Sequence, residues 1–300
     1  MIKLTNRIGS ENQKIDFIRE CEAKFEARLD EVCAEVVRDG VKIIALSGPT
    51  CSGKTTTAAK LTAALTANGA DVHLVSIDNF FRERDTLDRE ALMQEKSIDY
   101  DSVNAIDLNL LAERTASIIA GDPTDLPIYD FTLGRCTHYE TVDPDENSVF
   151  IFEGIQAIYP EVTALFGDNY KSIYICIEND LEVGEAYFFK RELRLLRRLV
   201  RDYKFRGAAP EFTFYLWGSV AANEDRSILP YADSVDLKIN SFMGYEIYLM
   251  KQVLPEILSF VPEDNPYFPK AYDISRKLKE LDSISPELVP SDSLLREFIG

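Results

Sequence analysis

The segment from Gly48 to Thr55 constrains this chain more than any other feature of its sequence. It reads GPTCSGKT and fits the pattern G-x-x-x-x-G-K-[ST]. Two glycines at this spacing let the backbone curl so that successive N–H groups point inward, and Lys54 adds a positive charge at the same place. The pattern therefore predicts a loop that holds the phosphates of a nucleotide.

The residues on either side of this phosphate loop support that interpretation. Residues 41–47 are largely apolar and predict a buried strand. Residues 56–68 are rich in Ala, Leu and Thr, contain no proline and end before Gly69, so they predict a helix whose positive dipole end faces the phosphates. We expect nucleotide contacts from these residues: Gly48, Pro49, Thr50, Cys51, Ser52, Gly53, Lys54, Thr55 and Thr56.

Composition and charge exclude several classes of partner. The 300 residues are 46% hydrophobic, which is ample for a buried core. The net charge of −18 argues against non-specific binding to nucleic acid or to anionic membranes, because both need a basic face. No apolar run reaches the length of a membrane span and the N-terminus has no apolar signal core, so we expect a cytoplasmic protein.

The five cysteines are odd in number, widely spaced and without a C-x-x-C pair. Neither a disulfide framework nor a zinc site is therefore indicated. Cys51 lies in the phosphate loop, where a helix N-terminus can lower the pKa of a thiol. A redox-sensitive thiol at this position is a minor alternative to an ordinary loop residue.

Acidic residues follow two further predicted strands. Residues 71–77 form a β-rich run that ends at Asp78, and the apolar run 149–152 ends at Glu153. Open α/β sheets carry their chemistry at the carboxyl ends of the strands. With the hydroxyl of Thr55, these two carboxylates would supply three oxygen ligands for Mg²⁺ beside the phosphates.

The remaining segments complete the predicted organisation. Helices are expected over 11–39, from Asp107 to about 120, over 244–254, and in short pieces over 273–281 and 291–299. The alternating, aromatic stretch 126–142 predicts a hairpin-like insertion over a site. Residues 82–104 are polar and predict irregular structure. The fourth and fifth core strands are expected over 171–177 and 236–239. Asp107 has a simple structural explanation as a helix N-cap.

The segment from Lys190 to Arg206 carries the most unusual charge pattern. It contains eight basic and two acidic residues, a local charge of +6 in an acidic protein. As a helix it presents an apolar stripe beside a stripe of four arginines, at positions 194, 197, 198 and 201. A solvated basic face is the alternative, but we favour a basic lid helix that supplies arginines to a transferring phosphoryl group.

Together these blocks resemble the uridine kinase and phosphoribulokinase family of P-loop kinases. The resemblance runs from about Val41 to about Tyr248, through the phosphate loop and through SIDNFF at 76–81, AID at 105–107, PIYDF at 127–131, FEGI at 152–155, RRLVRD at 197–202 and YAD at 231–233. Details near 201–207 and 295–300 look like a bacterial branch whose kinase core usually follows a threonyl-tRNA-synthetase-like region, which is not present before residue 41 here.

The resemblance implies an α/β P-loop NTPase fold with a five-stranded parallel sheet flanked by helices, and ATP with Mg²⁺ as the phosphate donor. It implies that Asp78 accepts the proton of the acceptor hydroxyl, and that Thr55, Asp78 and Glu153 lie on the metal side. With Lys54, the expected catalytic cations are Arg198, Arg201 and Arg206. The acceptor site is expected to include Asp78, Phe81, Asp107 as a ribose ligand, Tyr129, Phe131, Arg135 and Arg198.

Two departures from that family bear on the acceptor. Classical uridine kinases have a Tyr where this chain has Phe81, and a His after the YDF block where it has Leu133, Gly134 and Arg135. Those side chains hydrogen-bond the pyrimidine in the family. The resemblance therefore carries the phosphotransfer machinery over better than it carries uridine specificity.

The leading hypothesis is a uridine-kinase-like enzyme that transfers the ATP γ-phosphate to a nucleoside 5′-hydroxyl, with uridine and cytidine favoured, as in pyrimidine salvage. One alternative is a P-loop kinase for a different metabolite, such as a sugar phosphate or pantothenate. Another is a regulatory module that binds ATP without catalysis. We expect a helical extension over 1–40, a kinase domain over 41–262 and a helical tail over 263–300 packed on it, with homo-oligomerisation left open.

Overall fold

The computed structural model describes residues 1–93 and 99–300. Within them, the strands are β1 Ile2–Leu4, β2 Ile43–Ser47, β3 Asp71–Ser76, β4 Thr124–Asp130, β5 Arg135–Val142, β6 Ser148–Glu153, β7 Tyr170–Cys176, β8 Leu181–Val183, β9 Ala186–Phe188 and β10 Leu237–Asn240. The α-helices are α1 Glu11–Arg38, α2 Lys54–Ala67, α3 Arg84–Met93, α4 Leu108–Ala120, α5 Pro160–Thr163, α6 Lys190–Arg206, α7 Pro210–Asn223, α8 Leu229–Ala232, α9 Glu246–Ser259, α10 Phe268–Lys279 and α11 Arg296–Ile299. None of the helices in these residues is long and apolar enough to span a membrane.

The centre of the fold is a five-stranded sheet in the order β10-β7-β2-β6-β3, with every pair parallel. All five residues of β2 are buried, because the sheet is covered on both faces. Ile44 packs with α1, α2, α6 and α9, whereas its neighbour Ile43 packs on the other face with α4. The predicted α/β P-loop fold with a five-stranded parallel sheet flanked by helices is confirmed.

Two smaller sheets flank this core. The predicted hairpin is present as β4 and β5, which pair antiparallel from Thr124 with Val142 to Asp130 with Arg135. A second sheet has the order β1-β8-β9 and was not expected from the sequence, because each of its strands has only three residues. Its first strand joins the beginning of the chain to residues 181–183.

Three predictions of local structure need correction. Residues 84–93, expected to be irregular, form α3. The first N–H of this helix, that of Arg84, donates to the Gly134 carbonyl at 2.8 Å. Residues 94–98 of the same prediction lie outside the described part. Helix α10 begins at Phe268, five residues before the predicted start, because Pro269 fits the first turn of a helix. Of residues 291–299, only Arg296–Ile299 are helical.

Helix α6 confirms the predicted basic helix, but two of its four striped arginines donate to backbone carbonyls of the phosphate loop. Arg197 is completely buried, and its guanidinium donates to Glu246 Oε2 at 3.1 Å, to the Ser241 carbonyl at 2.7 Å and to the Cys51 carbonyl at 3.3 Å. Arg194 pairs with Glu224 and also donates to a phosphate-loop carbonyl. Both side chains therefore attach the phosphate loop to α6 through its backbone carbonyls.

We expect Glu246→Ala to lower the free energy of unfolding by about 3–5 kcal/mol, because it leaves the buried Arg197 guanidinium without its counterion. The matched control is Asp225→Ala, which removes an exposed partner of Arg191 and should cost only about 0–1 kcal/mol. Urea unfolding monitored by circular dichroism measures both. Equal losses in the two variants would contradict the structural role of the buried pair.

Candidate active site

The phosphate loop is the turn between β2 and α2. A side chain at position 48 would collide with the Ile175 carbonyl, and Gly53 has φ +93°, so both glycines are required by the path of the backbone. Gly53 is also the N-cap of α2 and offers no side chain to its first N–H groups. Those groups are therefore directed toward an anion.

The loop holds a polar atom that lacks a partner. The Ser52 hydroxyl is completely buried, and within residues 1–93 and 99–300 it has no hydrogen-bond partner. Buried polar groups are normally satisfied, and those that are not indicate a ligand, a water or an ion. The glycines, a helix N-terminus without a side-chain cap at Gly53 and this hydroxyl all fit a bound nucleotide phosphate.

Three carboxylates lie within electrostatic range of Lys54. Asp78 lies in a 3₁₀ turn after β3, Glu153 ends β6, and Asp101 precedes a second 3₁₀ turn. Burial is the main cause that raises the pKa of each carboxyl group, and the charge of Lys54 lowers all three. Asp78 and Glu153 meet because parallel strands end at the same edge of the sheet.

The excess of negative charge at this edge fits a divalent cation. The charge of Asp78 further raises the pKa of Glu153, which indicates repulsion between the two carboxylates. One lysine cannot balance three acids, and Mg²⁺ prefers hard oxygen ligands such as these carboxylates and the exposed Thr55 hydroxyl. In the described part of the chain, no group of three or more His, Cys, Asp or Glu side chains is close enough to hold a metal ion by itself, so a cation here would also need the Thr55 hydroxyl and phosphate oxygens.

Asp101 is a site residue that the sequence analysis missed. Its carboxylate interacts electrostatically with Lys54 and Arg198 and raises the pKa of Asp78, and it accepts a hydrogen bond from Asn223 at 3.3 Å. Asp107, predicted as a ribose ligand, caps α4 by accepting from the Leu110 N–H at 3.0 Å through one carboxylate oxygen. The sequence feature that could have identified Asp101 is its position just before a turn that is capped by Ser102.

An aromatic cluster lines the side of the site formed by the hairpin. The ring of Phe81 makes edge contacts with Tyr100, Tyr129 and Phe131 at centroid distances of 5.7, 5.9 and 6.3 Å. Tyr129 is buried, whereas Phe131 is 55% exposed. The predicted residues Phe81, Tyr129 and Phe131 are thus brought together, and Tyr100 is an addition that the sequence analysis missed.

The hairpin tip beside this cluster is anchored to α3. The Arg84 guanidinium donates to the carbonyls of Phe131 and Thr132, and its side chain fills the space beside Gly134. Arg135 is exposed at the start of β5, opposite Asp130. The structure therefore places the predicted residue Arg135 at the rim rather than inside the aromatic cluster.

The three predicted lid arginines share one carboxylate. Arg198 and Arg201 donate to Asp202 at distances of 2.8–3.0 Å, and Arg206 lies 3.7 Å from the same group. Asp202 is buried, so this cluster is fixed rather than spread over the surface. Arg198 and Arg201 also act electrostatically on the Cys51 thiol, which places their charge beside the phosphate loop.

Cys51 does not have the character of a reactive thiol. It is 3% exposed and has φ +58°, which is unusual for a residue with a side chain. Burial raises the pKa of its thiol, and the nearby arginines do not reverse that effect. A redox-sensitive cysteine needs a lowered pKa and access to solvent, so this alternative loses its support.

Several known proteins that are similar in sequence to this chain are named uridine kinase or uridine-cytidine kinase. Uridine-cytidine kinase C of Dictyostelium discoideum is 34% identical over 57% of this chain, which spans 32% of that protein. Uridine kinase of Deinococcus deserti is 29% identical over 56% of this chain and is covered over 72% of its length. Uridine kinase of Saccharomyces cerevisiae is 30% identical over 66% of this chain, which spans 36% of it.

A family model matches most of the chain. The model of the phosphoribulokinase / uridine kinase family matches residues 43–247, more than two thirds of the chain, and includes the phosphate loop, both strand-end acids and the basic helix. This range agrees closely with the extent of the resemblance inferred from the motifs, which is confirmed. The chain belongs to the phosphoribulokinase / uridine kinase family, a family of ATP-dependent small-molecule kinases.

Proposed function

We propose that this chain is a nucleoside kinase that transfers the γ-phosphate of ATP to a 5′-hydroxyl, with uridine or cytidine as the favoured acceptor. The observation that carries the proposal is that Lys54, which begins α2 directly after the phosphate loop, has both Asp78 and Asp101 within electrostatic range. It supplies one acid for the reacting hydroxyl and another for a sugar. The relatives named uridine kinase and uridine-cytidine kinase support the same acceptor class.

The donor nucleotide binds at the phosphate loop. Its phosphates accept hydrogen bonds from the N–H groups at the start of α2, and Lys54 pairs with the transferred group. Thr55, Asp78 and Glu153 would hold Mg²⁺, which when bound neutralises phosphate charge. The lid arginines Arg198 and Arg201 exchange Asp202 for phosphate oxygens as negative charge develops there.

The acceptor lies between the hairpin and the sheet edge. Among the described residues, the Asp101 carboxylate accepts one hydrogen bond, from the Asn223 amide, and its remaining oxygen lone pairs can accept from ribose hydroxyls. The rings of Phe81, Tyr129 and Phe131 pack against the base. This arrangement positions the nucleoside while leaving its 5′ end toward Asp78.

In the reaction, the 5′ oxygen forms a bond to the γ-phosphorus as the bond from that phosphorus to the β–γ bridging oxygen breaks. Asp78 accepts the hydroxyl proton, and its raised pKa suits it to that task. ADP leaves with the electrons of the broken bond. Most of the rate enhancement comes from positioning and electrostatics rather than from covalent chemistry.

The first test is ADP release by the full chain with Mg·ATP and a panel of acceptors, with Lys54→Ala as the blank. The panel contains uridine, cytidine, purine nucleosides, a sugar phosphate and pantothenate. We expect stimulation by uridine or cytidine. Stimulation by a different acceptor alone, which Phe81 and Arg135 would then explain, overturns the acceptor class, and ATP binding without acceptor-dependent turnover favours a regulatory module.

We expect Asp78→Asn to lower kcat by about 100-fold or more, because the amide cannot accept the hydroxyl proton. ATP affinity, measured by calorimetry in the absence of acceptor, should change little. The pH profile of the unmodified protein should lose activity on the acid side above the pH expected for an ordinary aspartate. Turnover that survives in Asp78→Asn would remove this residue from proton transfer.

A pair of variants identifies the acid that binds ribose. Asp101→Asn should raise the nucleoside KM by about tenfold or more with a smaller change in kcat, because a charged acceptor is lost. Asp107→Asn should leave both constants nearly unchanged, since asparagine also caps a helix. If the effect on KM appears in Asp107→Asn instead, the assignment by resemblance is correct and ours is wrong.

A further inference from the structure

The C-terminal segment, residues 293–300, folds back over the phosphate loop. Leu294, Leu295 and Phe298 are completely buried. The Leu294 side chain fills the space beside Gly53, and the Phe298 ring lies 5.1 Å from the Arg197 guanidinium. The segment is therefore an integral part of the wall around the loop.

Glu297 of this segment contacts the start of α2 directly. Its Oε2 accepts a hydrogen bond from the Thr56 hydroxyl at 3.1 Å and from the Thr56 N–H at 3.4 Å. Thr56 is the third residue of α2, and its N–H has no partner inside the helix. Bonding within the helix begins with the Thr57 N–H, which donates to the Gly53 carbonyl at 3.0 Å.

The charge of Glu297 reaches the catalytic groups. Burial is the largest cause of the raised pKa of Glu153, and the charges of Asp78 and Glu297 add to it. Burial lowers the pKa of the Arg201 guanidinium, but anionic neighbours that include Glu297 outweigh this effect. The carboxylate thus lies on the same side of the loop as the acids and the lid arginines.

We propose that Glu297 sets the nucleotide affinity of this site, because its carboxylate accepts the Thr56 hydrogen bonds that a nucleotide phosphate would take on binding. The inference rests on the proposed function, since it requires a nucleotide at this loop. One N–H cannot serve two anions at full strength, and two anions at one helix end repel each other. Binding therefore displaces the Glu297 carboxylate and uses part of the interaction free energy to do so.

The surrounding contacts allow this exchange without unfolding the segment. Leu294 and Phe298 remain anchored in the core, whereas the Glu297 side chain is half-buried and has solvent to rotate into. The neighbouring Arg296 holds the turn by donating to the Pro290 carbonyl at 3.1 Å. The exchange therefore involves rotation of the Glu297 side chain rather than displacement of the whole segment.

The test is the affinity of the full chain for Mg·ADP, measured by isothermal titration calorimetry. Glu297→Gln removes the charge and keeps the shape, and it should bind ADP about tenfold more tightly, the effect of one hydrogen bond to a charged group. The matched control is Asp292→Asn, which changes an exposed carboxylate on the adjoining turn that faces Lys60 at 3.6 Å. It should change the affinity by less than about twofold.

Each outcome of the ADP-binding experiment supports or overturns the inference about Glu297. Equal or weaker ADP binding by Glu297→Gln overturns the inference while leaving the proposed function intact, provided that the unmodified chain binds ADP. If neither protein binds ADP, the proposed function fails and the inference fails with it. Thermal unfolding with and without ADP is the second measurement, because a variant of lower intrinsic stability should still show the larger ADP-induced rise in Tm.

Discussion

The buried guanidinium of Arg197 is the interaction on which the rest of the structure depends. It joins basic helix α6 to the phosphate loop through the Cys51 carbonyl, to the loop after β10 through Ser241, and to α9 through Glu246. The ring of Phe298 covers it from the C-terminal segment. A buried charge that loses its partners costs several kcal/mol, so these five regions must assemble together.

Around Arg197, the acidic and the basic groups of the site lie on different parts of the fold. The carboxyl edge of the sheet carries the acids Asp78, Asp101 and Glu153, and α6 carries the cations. Several positive groups near the phosphate loop already contact a carboxylate of the chain, as Arg201 contacts Asp202 and the α2 terminus contacts Glu297. Phosphate binding at such a site is an exchange of anions, which makes its affinity depend on the protein acids that are displaced.

Much of the fold follows from local sequence. The phosphate loop, the apolar strands and the long amphipathic helix α1 each carry their own signal, and all appear close to the expected bounds. Helix α3 was missed because Leu87 is its one buried residue, so it has no apolar stripe to recognise. Asp101 was missed because it lies in a polar stretch without a local sequence pattern. The position of this stretch in the fold depends on distant partners such as Asn223.

The sequence by itself determined the family, the phosphate loop and the two acids that end neighbouring strands, because in a parallel sheet the position along the chain fixes the edge on which a residue lies. Only the tertiary structure decided which of the arginines in α6 are buried braces and which face the site. It also decided that Asp101 lies within electrostatic range of Lys54 while Asp107 caps α4, and that Glu297 reaches α2 from 241 residues away. Those assignments depend on which side chains find partners across the fold, and residue spacing along the chain carries no information about that.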